Sequence, residues 1–459
     1  MPLKKNRYPA PSARLALLPL PLLPLPLLPL TLLPLTLLLL AGCAGGRGAM
    51  PPMLMSMHIA HGNVRVIAVG DVMIGTAFPG PEYLNPAITP EATPADLLGP
   101  ELAALLGGGD VVFGNLEGTL YDGDGPTKPC ANPERCYAFR SPTWYARLLA
   151  DTGFNMMSLA NNHGGDFLET GRLSTMLALE DNSIAYAGVD SMTSDPAADG
   201  TVPEAETIPD DAIPEGGTAM GAGGIPGAPA AVPVFPDART ASLSLVDGTR
   251  VGLAAFAPNK GTVSLYDLDA AAASVTELAR QNHIVLVSVH SGAEGAAQMH
   301  VPRTEELYAG EGRGDVYAFA HHMIDAGAHM VIGHGPHVPR GVEIYKGRLI
   351  AYSLGNFWTW GRFNLRGPNG VAPVLEAELS PTGNLVKVRV HSVVQVDWGI
   401  PRLDPQQVAT RLVAELTGED FPEARLSFAP DGTVSGPGTD TTTPPPALPV
   451  SPASVPESP

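Results

Sequence analysis

The chain has 459 residues, with 27 lysines and arginines against 46 aspartates and glutamates, and a formal net charge of -19 at pH 7. A surface this acidic is a poor general binding face for nucleic acid or anionic lipid, so the composition predicts no nucleic-acid partner. The length allows two or three domains, but long stretches have a composition that does not form a core.

The first 43 residues are predicted to be an export signal. Basic residues precede a leucine-rich run from Leu15 to Leu40, and Leu-Ala-Gly then leads to Cys43. A charged start, an apolar middle and small residues before the cut are typical of secretory signals. With this ending the segment resembles a bacterial lipoprotein signal, in which Cys43 becomes the lipidated first residue. A single uncleaved membrane anchor is the alternative, because the run is long enough to span a bilayer.

The other two cysteines, Cys130 and Cys136, lie close together in the sequence. In an exported protein, such a pair is more typical of a disulfide that closes a small loop than of a metal site, which would need further ligands of the same kind. We therefore predict a disulfide between them. A pair of free structural cysteines is the alternative for a protein that stays in a reducing compartment.

Composition also divides the chain into segments. Residues 44–62 are predicted to be a tether, and residues 429–459, rich in Pro, Ser and Thr, are predicted to be a disordered tail. The stretch 190–237, dominated by Pro, Gly, Ala and acids, predicts either a long surface insertion or an interdomain linker. This leaves an α/β domain over residues 63–400, which contains the insertion, and a C-terminal helical extension over residues 401–428.

Strand and helix patterns alternate along the predicted domain. Continuous β-branched and apolar runs indicate buried strands, and apolar residues that share one helical face indicate helices. In chain order we predict a strand over 64–70, a helix over 93–106, a strand over 110–114, a helix over 141–153, a strand over 155–160, a helix over 169–181, a hairpin over 241–257, a helix over 270–281, a strand over 284–289, a helix over 315–327, and strands over 330–333 and 348–355. The two helices with the clearest leucine patterns are expected to bury Leu98, Leu102, Leu105 and Leu106 in the first and Leu173, Met176 and Leu177 in the second. The alternation predicts an α/β fold with a mostly internal sheet.

Polar side chains suited to metal binding or proton transfer follow six of these strands. In strand order they are Asp71; Asn115 and Glu117; Asn161, Asn162 and His163; His290 and Glu294; His334 and His337; and Asn356. Because ligands of open α/β sheets gather at the carboxyl ends of strands, we expect these side chains to share one site. Taken singly, each has an ordinary explanation as a turn, a cap or a hydrogen-bonded core residue. The remaining histidines His321, His322 and His329 are expected to be structural.

The chemistry of this set indicates a hydrolytic metal site. Carboxylates, amides and imidazoles together suit one or two divalent ions such as Mn, Fe or Zn. Two adjacent metals can activate water and clamp the attacking and leaving oxygens, and a histidine outside the metal shell can protonate the leaving group.

Six motifs carry a family resemblance. In order they are VGDVMIG, FGNLEGTL, SLANNHGGD, VSVHSGAE, VIGHGPH and YSLGNF, between about Asn63 and Phe357. With them the sequence resembles the CapA proteins of capsule and poly-gamma-glutamate synthesis, whose fold is similar to that of the calcineurin-like metallophosphoesterases. The resemblance implies a four-layer αββα sandwich of the metallophosphoesterase type, with helices outside two packed sheets.

The resemblance also implies residue roles. Metal ligands would be Asp71, Asn162, His290, His334 and His337; the catalytic pair would be Asn162 and His163, with His163 as the acid; and Asn115, Glu117, Asn161, Glu294 and Asn356 would line the site. Three motifs depart from the family pattern. Gly335 stands where family members usually have a histidine, Ser291 stands where they have a tryptophan, and the Asp-x-His motif of the phosphoesterases is absent because Met73 follows Val72.

These observations lead to a functional prediction with alternatives. We expect an exported, lipid-anchored protein that acts on an anionic envelope polymer or its precursor, with a membrane synthase or export complex as a further partner, and that hydrolyses phosphoester or amide bonds. A non-catalytic accessory that holds polymer in the same cleft is the alternative of another class. A plain calcineurin-like phosphoesterase is the third.

Overall fold

The structure is a computed structural model that describes residues 62–129, 137–190 and 238–439. The predicted signal with its lipidated Cys43, most of the tether, the Cys130 and Cys136 pair, and nearly all of the insertion lie outside these ranges. They stay predictions.

Strands supply most of the described structure. In chain order they are β1 (Val64–Met73), β2 (Val111–Leu116), β3 (Thr119–Leu120), β4 (Arg140–Ser141), β5 (Met156–Ser158), β6 (Ala185–Ala187), β7 (Thr240–Ser244), β8 (Arg250–Phe256), β9 (Ile284–His290), β10 (Glu306–Tyr308), β11 (Glu311–Gly314), β12 (Met330–His334), β13 (Val342–Tyr345), β14 (Arg348–Ala351), β15 (Asn356–Thr359), β16 (Val371–Leu379), β17 (Leu385–Val396), β18 (Ile400–Leu403), β19 (Ser427–Phe428) and β20 (Thr433–Ser435). The helices are α1 (Pro94–Leu98), α2 (Pro100–Gly107), α3 (Tyr145–Thr152), α4 (Leu168–Asp181), α5 (Leu268–Gln281), α6 (Val316–Asp325) and α7 (Val408–Asp420).

Two sheets organise these strands. The larger has the order β19-β20-β17-β16-β1-β2-β5-β6, with β15 paired to β1 and β18 paired to β17. The smaller has the order β13-β14-β12-β9-β8-β7. Strands β1, β2, β5, β6 and β15 run parallel, as do β8, β9, β12 and β14, so the carboxyl ends of each group lie at one edge of its sheet.

The two sheets pack face to face with helices on their outer sides. One apolar cluster joins the inner faces of both sheets, for example Phe113 of β2 with Leu286 of β9. A second cluster joins the larger sheet to α2, α3 and α4, and a third joins the smaller sheet to α5 and α6. Strands buried on both faces need apolar residues at successive positions, which explains the continuous runs in β1 and β9. The predicted four-layer αββα sandwich is confirmed.

Two helix predictions are corrected. The helix predicted over 93–106 is two helices, because Gly99 adopts a positive φ of 83° and Pro100 has no backbone N–H to continue the first helix. In α4, Met176 is buried as predicted, but Leu177 is 50% exposed. The buried face of α4 instead includes Thr175, whose hydroxyl accepts the N–H of Leu120 in β3. The side of α4 that is buried is therefore set by its contact with the short strand β3 and not by the spacing of its leucines.

The C-terminal boundaries also differ from the prediction. The extension predicted over 401–428 contains helix α7 but also most of β18 and all of β19. The tail predicted to be disordered from residue 429 begins with ordered structure, since β20 lies in it and pairs with β17. Regular backbone pairing with the larger sheet outweighs the Pro- and Gly-rich composition there.

The predicted insertion leaves and rejoins the fold at one place. The carbonyl of Ala238 accepts the N–H groups of both Gly188 and Val189. Strands β6 and β7 on either side belong to different sheets of the same sandwich and contact each other. The described residues on either side of the predicted segment therefore lie next to each other, and both alternatives for the segment itself stay predictions.

None of the helices in residues 62–129, 137–190 and 238–439 is both long enough and apolar enough to cross a bilayer.

His329 gives a pH-dependent contribution to stability that can be measured. Burial, with a smaller effect of Arg348, lowers the pKa of His329 from 6.5 to about 3. Its Nδ1 accepts the N–H of Val285 at 3.0 Å, so the folded state holds the neutral ring. Between pH 6.5 and about 3 the unfolded chain binds a proton that the folded chain does not, and stability falls as pH decreases through this window.

We expect His329→Asn, which keeps an acceptor near Nδ1, to flatten this part of the stability profile. Between pH 7 and pH 4.5 the wild type should lose about 3 kcal/mol more than the variant, at about 1.4 kcal/mol per pKa unit. Urea unfolding at several pH values measures the difference, with His322→Asn as the control. Parallel profiles for wild type and His329→Asn would contradict the prediction.

Candidate metal and catalytic site

The predicted site residues lie where the carboxyl ends of the two sheets meet. In the larger sheet, Asp71 at the end of β1 is in register with Asn115 of β2 and Asn356 of β15. In the smaller sheet, His334 of β12 is in register with His290 of β9. His334 Nδ1 lies 3.4 Å from Asp71 Oδ1, so the contact between these two residues joins the sheets at the site.

Asp71 is the buried centre of this arrangement. Its Oδ1 accepts the side-chain amide of Asn115 at 2.8 Å, and its Oδ2 lies 3.0 Å from His337 Nδ1. Asn161 donates in turn to Asn115 Oδ1 at 3.0 Å, and Asn356 Oδ1 lies 3.0 Å from His337 Nδ1. These three asparagines therefore orient Asp71 and His337.

Asp71, Glu117 and His337 form a group that can hold a divalent metal. One ligand atom from each lies within 4.8 Å of the others. His337 Nε2 is 3.5 Å from Glu117 Oε1 and 4.0 Å from Glu294 Oε2. Glu117, expected only to line the site, is thus a potential ligand.

Buried polar atoms around this group fit a metal centre. Atoms buried without a hydrogen-bond partner among the described residues include both ring nitrogens of His290, both of His334, both carboxylate oxygens of Glu117, and Asn162 Oδ1. The ring centroid of His290 lies 6.5 Å from that of His337. Unpartnered buried polar atoms are costly, so their concentration in one place indicates that they serve a ligand. Carboxylate oxygens and imidazole nitrogens are the donors that Mn, Fe and Zn accept.

The electrostatics separate charged from neutral members. Burial raises the pKa of Glu117 well above its usual value, against the attraction of His337. Burial opposes ionisation of Asp71 and His337 as well, but contacts with His334 and His337 hold the pKa of Asp71 far below its usual value. Glu117 and Asp71 likewise hold the pKa of His337 well above its usual value. Asp71 is therefore held ionised beside His337. Ionisation of the buried Glu117 requires positive charge nearby, which a protonated His337 or a bound cation can provide.

His290 is held in the form that binds metals. It is completely buried, and this burial lowers its pKa well below the usual value, with Asp71 opposing the shift. A neutral imidazole keeps a lone pair on one ring nitrogen, as metal ligation requires.

Asp71, Glu117 and His337 are the metal-compatible group, and His163 lies beside this group but is not part of it. It follows β5, and its Nδ1 lies 2.8 Å from Asp166 Oδ2. Asp166 Oδ1 in turn pairs with Lys128 Nζ at 2.5 Å. Burial lowers the pKa of His163, and Asp166 opposes this shift. A carboxylate on Nδ1 orients the ring and leaves Nε2 for proton transfer, as expected of a general acid or base.

Asn162 is held through its backbone, and its side chain makes no hydrogen bond through Oδ1 to the described residues. Its backbone carbonyl accepts a hydrogen bond from Lys128 Nζ at 2.9 Å, and its side-chain Oδ1 is among the buried unpartnered atoms. The side-chain oxygen is therefore available to a ligand, and the role of Asn162 as a metal ligand stays a prediction.

The Gly-His-Gly-Pro-His turn explains one departure from the family pattern. Gly335 has a φ of +112°, and a Cβ on it would lie 2.7 Å from the carbonyl oxygen of Ser291. A histidine at this position would require the backbone to move. His337 itself has a φ of 57°, a conformation that is uncommon for residues other than glycine and that surrounding contacts must support.

Several residues that lie next to the site were not predicted from the sequence. Asp166 was within reach, since it ends the stretch SLANNHGGD, but Lys128 and Arg313 carried no local signal. Arg313 Nη2 pairs with Glu294 Oε1 at 2.9 Å and fixes that carboxylate near His337. An aromatic pair also borders the site: Phe139 lies 4.4 Å from His163, and Phe363 lies 5.6 Å from His337, as ring-centroid distances.

Comparisons with known proteins identify relatives. The family described as "Bacterial capsule synthesis protein PGA_cap" matches residues 65–359. An uncharacterized protein of Sinorhizobium fredii is 28% identical over 322 residues, which is 64% of this chain and 65% of the relative. The capsule biosynthesis protein CapA of Bacillus anthracis is 24% identical over 303 residues, 65% of this chain and 61% of the relative. The chain thus spans somewhat less than two thirds of the length of these relatives.

A solved structure was also found. The 5'-nucleotidase precursor of Thermus thermophilus aligns with 80% of this chain and 61% of its own, at 12% identity and a TM-score of 0.34. The family match covers more than half of the chain and contains all six motifs. The chain therefore belongs to the bacterial capsule synthesis protein family PGA_cap.

Proposed function

We propose that this protein acts in the synthesis or export of capsule or poly-gamma-glutamate as a metal-dependent hydrolase of phosphoester or amide bonds. The observation that carries the proposal is the convergence of Asp71, Glu117 and His337 within 4.8 Å, next to buried unpartnered atoms of His290 and His334. The ring nitrogens of His290 and the carboxylate oxygens of Glu117 have no hydrogen-bond partner among the described residues, so a bound ligand would satisfy them.

The residues have separate tasks in this proposal. Asp71, Glu117, His290, His334 and His337 would hold one or two divalent ions of the Mn, Fe or Zn type. When bound, such an ion supplies Lewis acidity that polarises the bond to be cleaved and activates water.

Proton transfer is assigned to a neighbouring pair in this proposal. Asp166 fixes the ring of His163 through Nδ1, so that Nε2 can give a proton to the leaving group. Glu294, which is paired with Arg313, would place a further carboxylate beside His337.

Export and anchoring belong to the same proposal. They are supported by the basic start, the leucine run and Cys43 in the sequence. A globomycin-sensitive shift in size and the loss of membrane association in Cys43→Ala would be the expected results for a lipoprotein in intact cells.

Metal content is the decisive measurement. The protein purified without chelator should carry about one or two equivalents of Mn, Fe or Zn by mass spectrometry. The double variant Asp71→Ala/His337→Ala should lose them, because it removes two of the three convergent ligands. His322→Ala on helix α6 is the matched control and should keep the metal.

Loss of catalysis should follow loss of metal. Chelation is expected to abolish hydrolysis of phosphodiester or γ-glutamyl amide probes, and the metal should restore it. A folded, metal-free wild type would instead favour the second candidate, a non-catalytic accessory that holds polymer near a membrane synthase. Gly335 supports that candidate, because it reduces the number of imidazoles in the turn.

A further inference from the structure

Arg362 lies between two aromatic rings near the candidate site. Its guanidinium carbon is 4.9 Å from the ring centroid of Tyr83 and 4.8 Å from that of Tyr137. Its Nη1 donates to the carbonyl of Phe78 at 3.5 Å. Two rings restrict the guanidinium plane, so its donors are fixed before any ligand binds.

The loop that carries Arg362 is anchored at the site. It follows β15, which pairs with β1 next to Asp71, and the N–H of Trp360 donates to the carbonyl of Met73 at 2.8 Å. The next residue, Phe363, contacts the rings of both His337 and Phe139, at centroid distances of 5.6 and 5.3 Å. Arg362 is therefore one residue from a side chain that touches the metal-compatible group.

Within residues 62–129, 137–190 and 238–439, the charge of Arg362 is not neutralised by an acidic side chain. Among the residues that the structure describes, no carboxylate lies within ion-pair distance of its guanidinium, whereas the nearby Arg140 pairs with Asp124 and Arg313 pairs with Glu294. A guanidinium has five N–H donors, and the one hydrogen bond that it makes to the described part of the chain goes to the carbonyl of Phe78. In a chain with a net charge of -19, an unneutralised and partly buried cation beside the site indicates an anionic ligand.

We propose that Arg362 binds a carboxylate or phosphate group of the substrate and positions the chain for cleavage at the metal-compatible group. The inference rests on the proposed function and adds the residue that recognises the anionic group of the substrate. Tyr83 and Tyr137 position the guanidinium, and Phe363 places the adjoining part of the ligand against an apolar wall. The arrangement offsets the repulsion that the acidic protein exerts on an anionic polymer.

Equilibrium binding tests this directly and needs no turnover. Fluorescently labelled poly-γ-glutamate is titrated with wild type, Arg362→Gln, Arg362→Lys and Arg366→Gln, all in chelator. Arg366 is the matched control, because it is an exposed arginine of the same loop that contacts no aromatic ring among the residues the structure describes. We expect Arg362→Gln to bind about tenfold or more weakly. Arg362→Lys should restore only part of the loss, since an ammonium cannot form the paired contact.

The ligand group is identified by competition. Inorganic phosphate that displaces the polymer at lower concentration than glutarate would assign a phosphate, and the reverse order would assign a carboxylate. Equal weakening by Arg362→Gln and Arg366→Gln would overturn the inference, as would a wild type that binds no polymer. Neither result affects the metal content of the wild type, so failure here is distinguishable from failure of the hydrolase proposal. Unchanged melting temperatures exclude misfolding as the cause.

Discussion

His163→Gln is expected to lower the turnover of the metal-loaded protein by about 10²–10⁴-fold, the usual contribution of a positioned general acid or base. The imidazole lies outside the group of Asp71, Glu117 and His337, and Asp166 fixes its orientation at 2.8 Å. Glutamine keeps a similar volume next to Phe139 but cannot exchange a proton at neutral pH. Turnover of a phosphodiester probe with a chromogenic leaving group, measured at saturating metal, gives the loss.

The matched controls separate chemistry from binding and folding. His322→Gln removes a histidine on helix α6 and should leave turnover unchanged. His163→Gln should keep the wild-type metal content, because His163 is not in the group formed by Asp71, Glu117 and His337. A variant that loses metal together with turnover would instead make His163 a ligand, and one that keeps full turnover would remove it from the mechanism.

Much of the fold could be predicted because its buried strands leave a strong pattern. Strands β1, β9 and β12 lie between two layers and are apolar at almost every position, so each is visible as a single run. The long antiparallel strand β17 was not predicted, although Val386, Val388 and Val390 alternate with charged residues as in a half-exposed strand. That signal was available and was missed.

The breaks within elements depend on single residues and on tertiary contacts. Gly99 and Pro100 divide a helix whose leucine spacing favours one continuous segment. In α4 the exposed Leu177 and the buried Thr175 reverse what hydrophobicity predicts, because the hydroxyl of Thr175 is bonded to β3. Such a contact across 55 positions leaves no periodic trace in the sequence.

The location of the site could be predicted, but its detailed composition could not. The rule that ligands gather at strand ends places Asp71, His334 and His337 together. Which further residue joins them depends on register: the pairing of β1 with β2 shifts between Ala68 and Asp71, which sets Asp71 opposite Asn115. Glu117, two residues after Asn115, then lies with Asp71 and His337 in one group that can hold a metal. A register shift of this kind is a property of the folded sheet.

A buried ion pair between Arg340 and Glu306 is expected to stabilise the loops that carry Glu294 and His337. Arg340 and Glu306 are 1% and 5% exposed, and two parallel hydrogen bonds of 2.7 Å join them. Glu306 Oε2 also accepts the N–H of Ala293 at 3.0 Å, and Arg340 Nε donates to the carbonyl of Gln298 at 2.9 Å. The pair thus connects the loop before Glu294 to the segment that follows His337.

Removing one partner is expected to cost about 3–5 kcal/mol, because the other charge stays buried without compensation. Glu306→Gln and Arg340→Met should each lower the free energy of unfolding in urea by this amount. The double variant Glu306→Gln/Arg340→Met should be less destabilised than the sum of the two, since it leaves no lone charge. The exposed pair Lys346 and Asp325 is the control: Lys346→Met should change stability by less than about 1 kcal/mol.

Because the pair of Arg340 and Glu306 fixes the loops that carry Glu294 and His337, Glu306→Gln and Arg340→Met should also bind metal more weakly. Stability losses that add in the double variant would mean that Arg340 and Glu306 act separately.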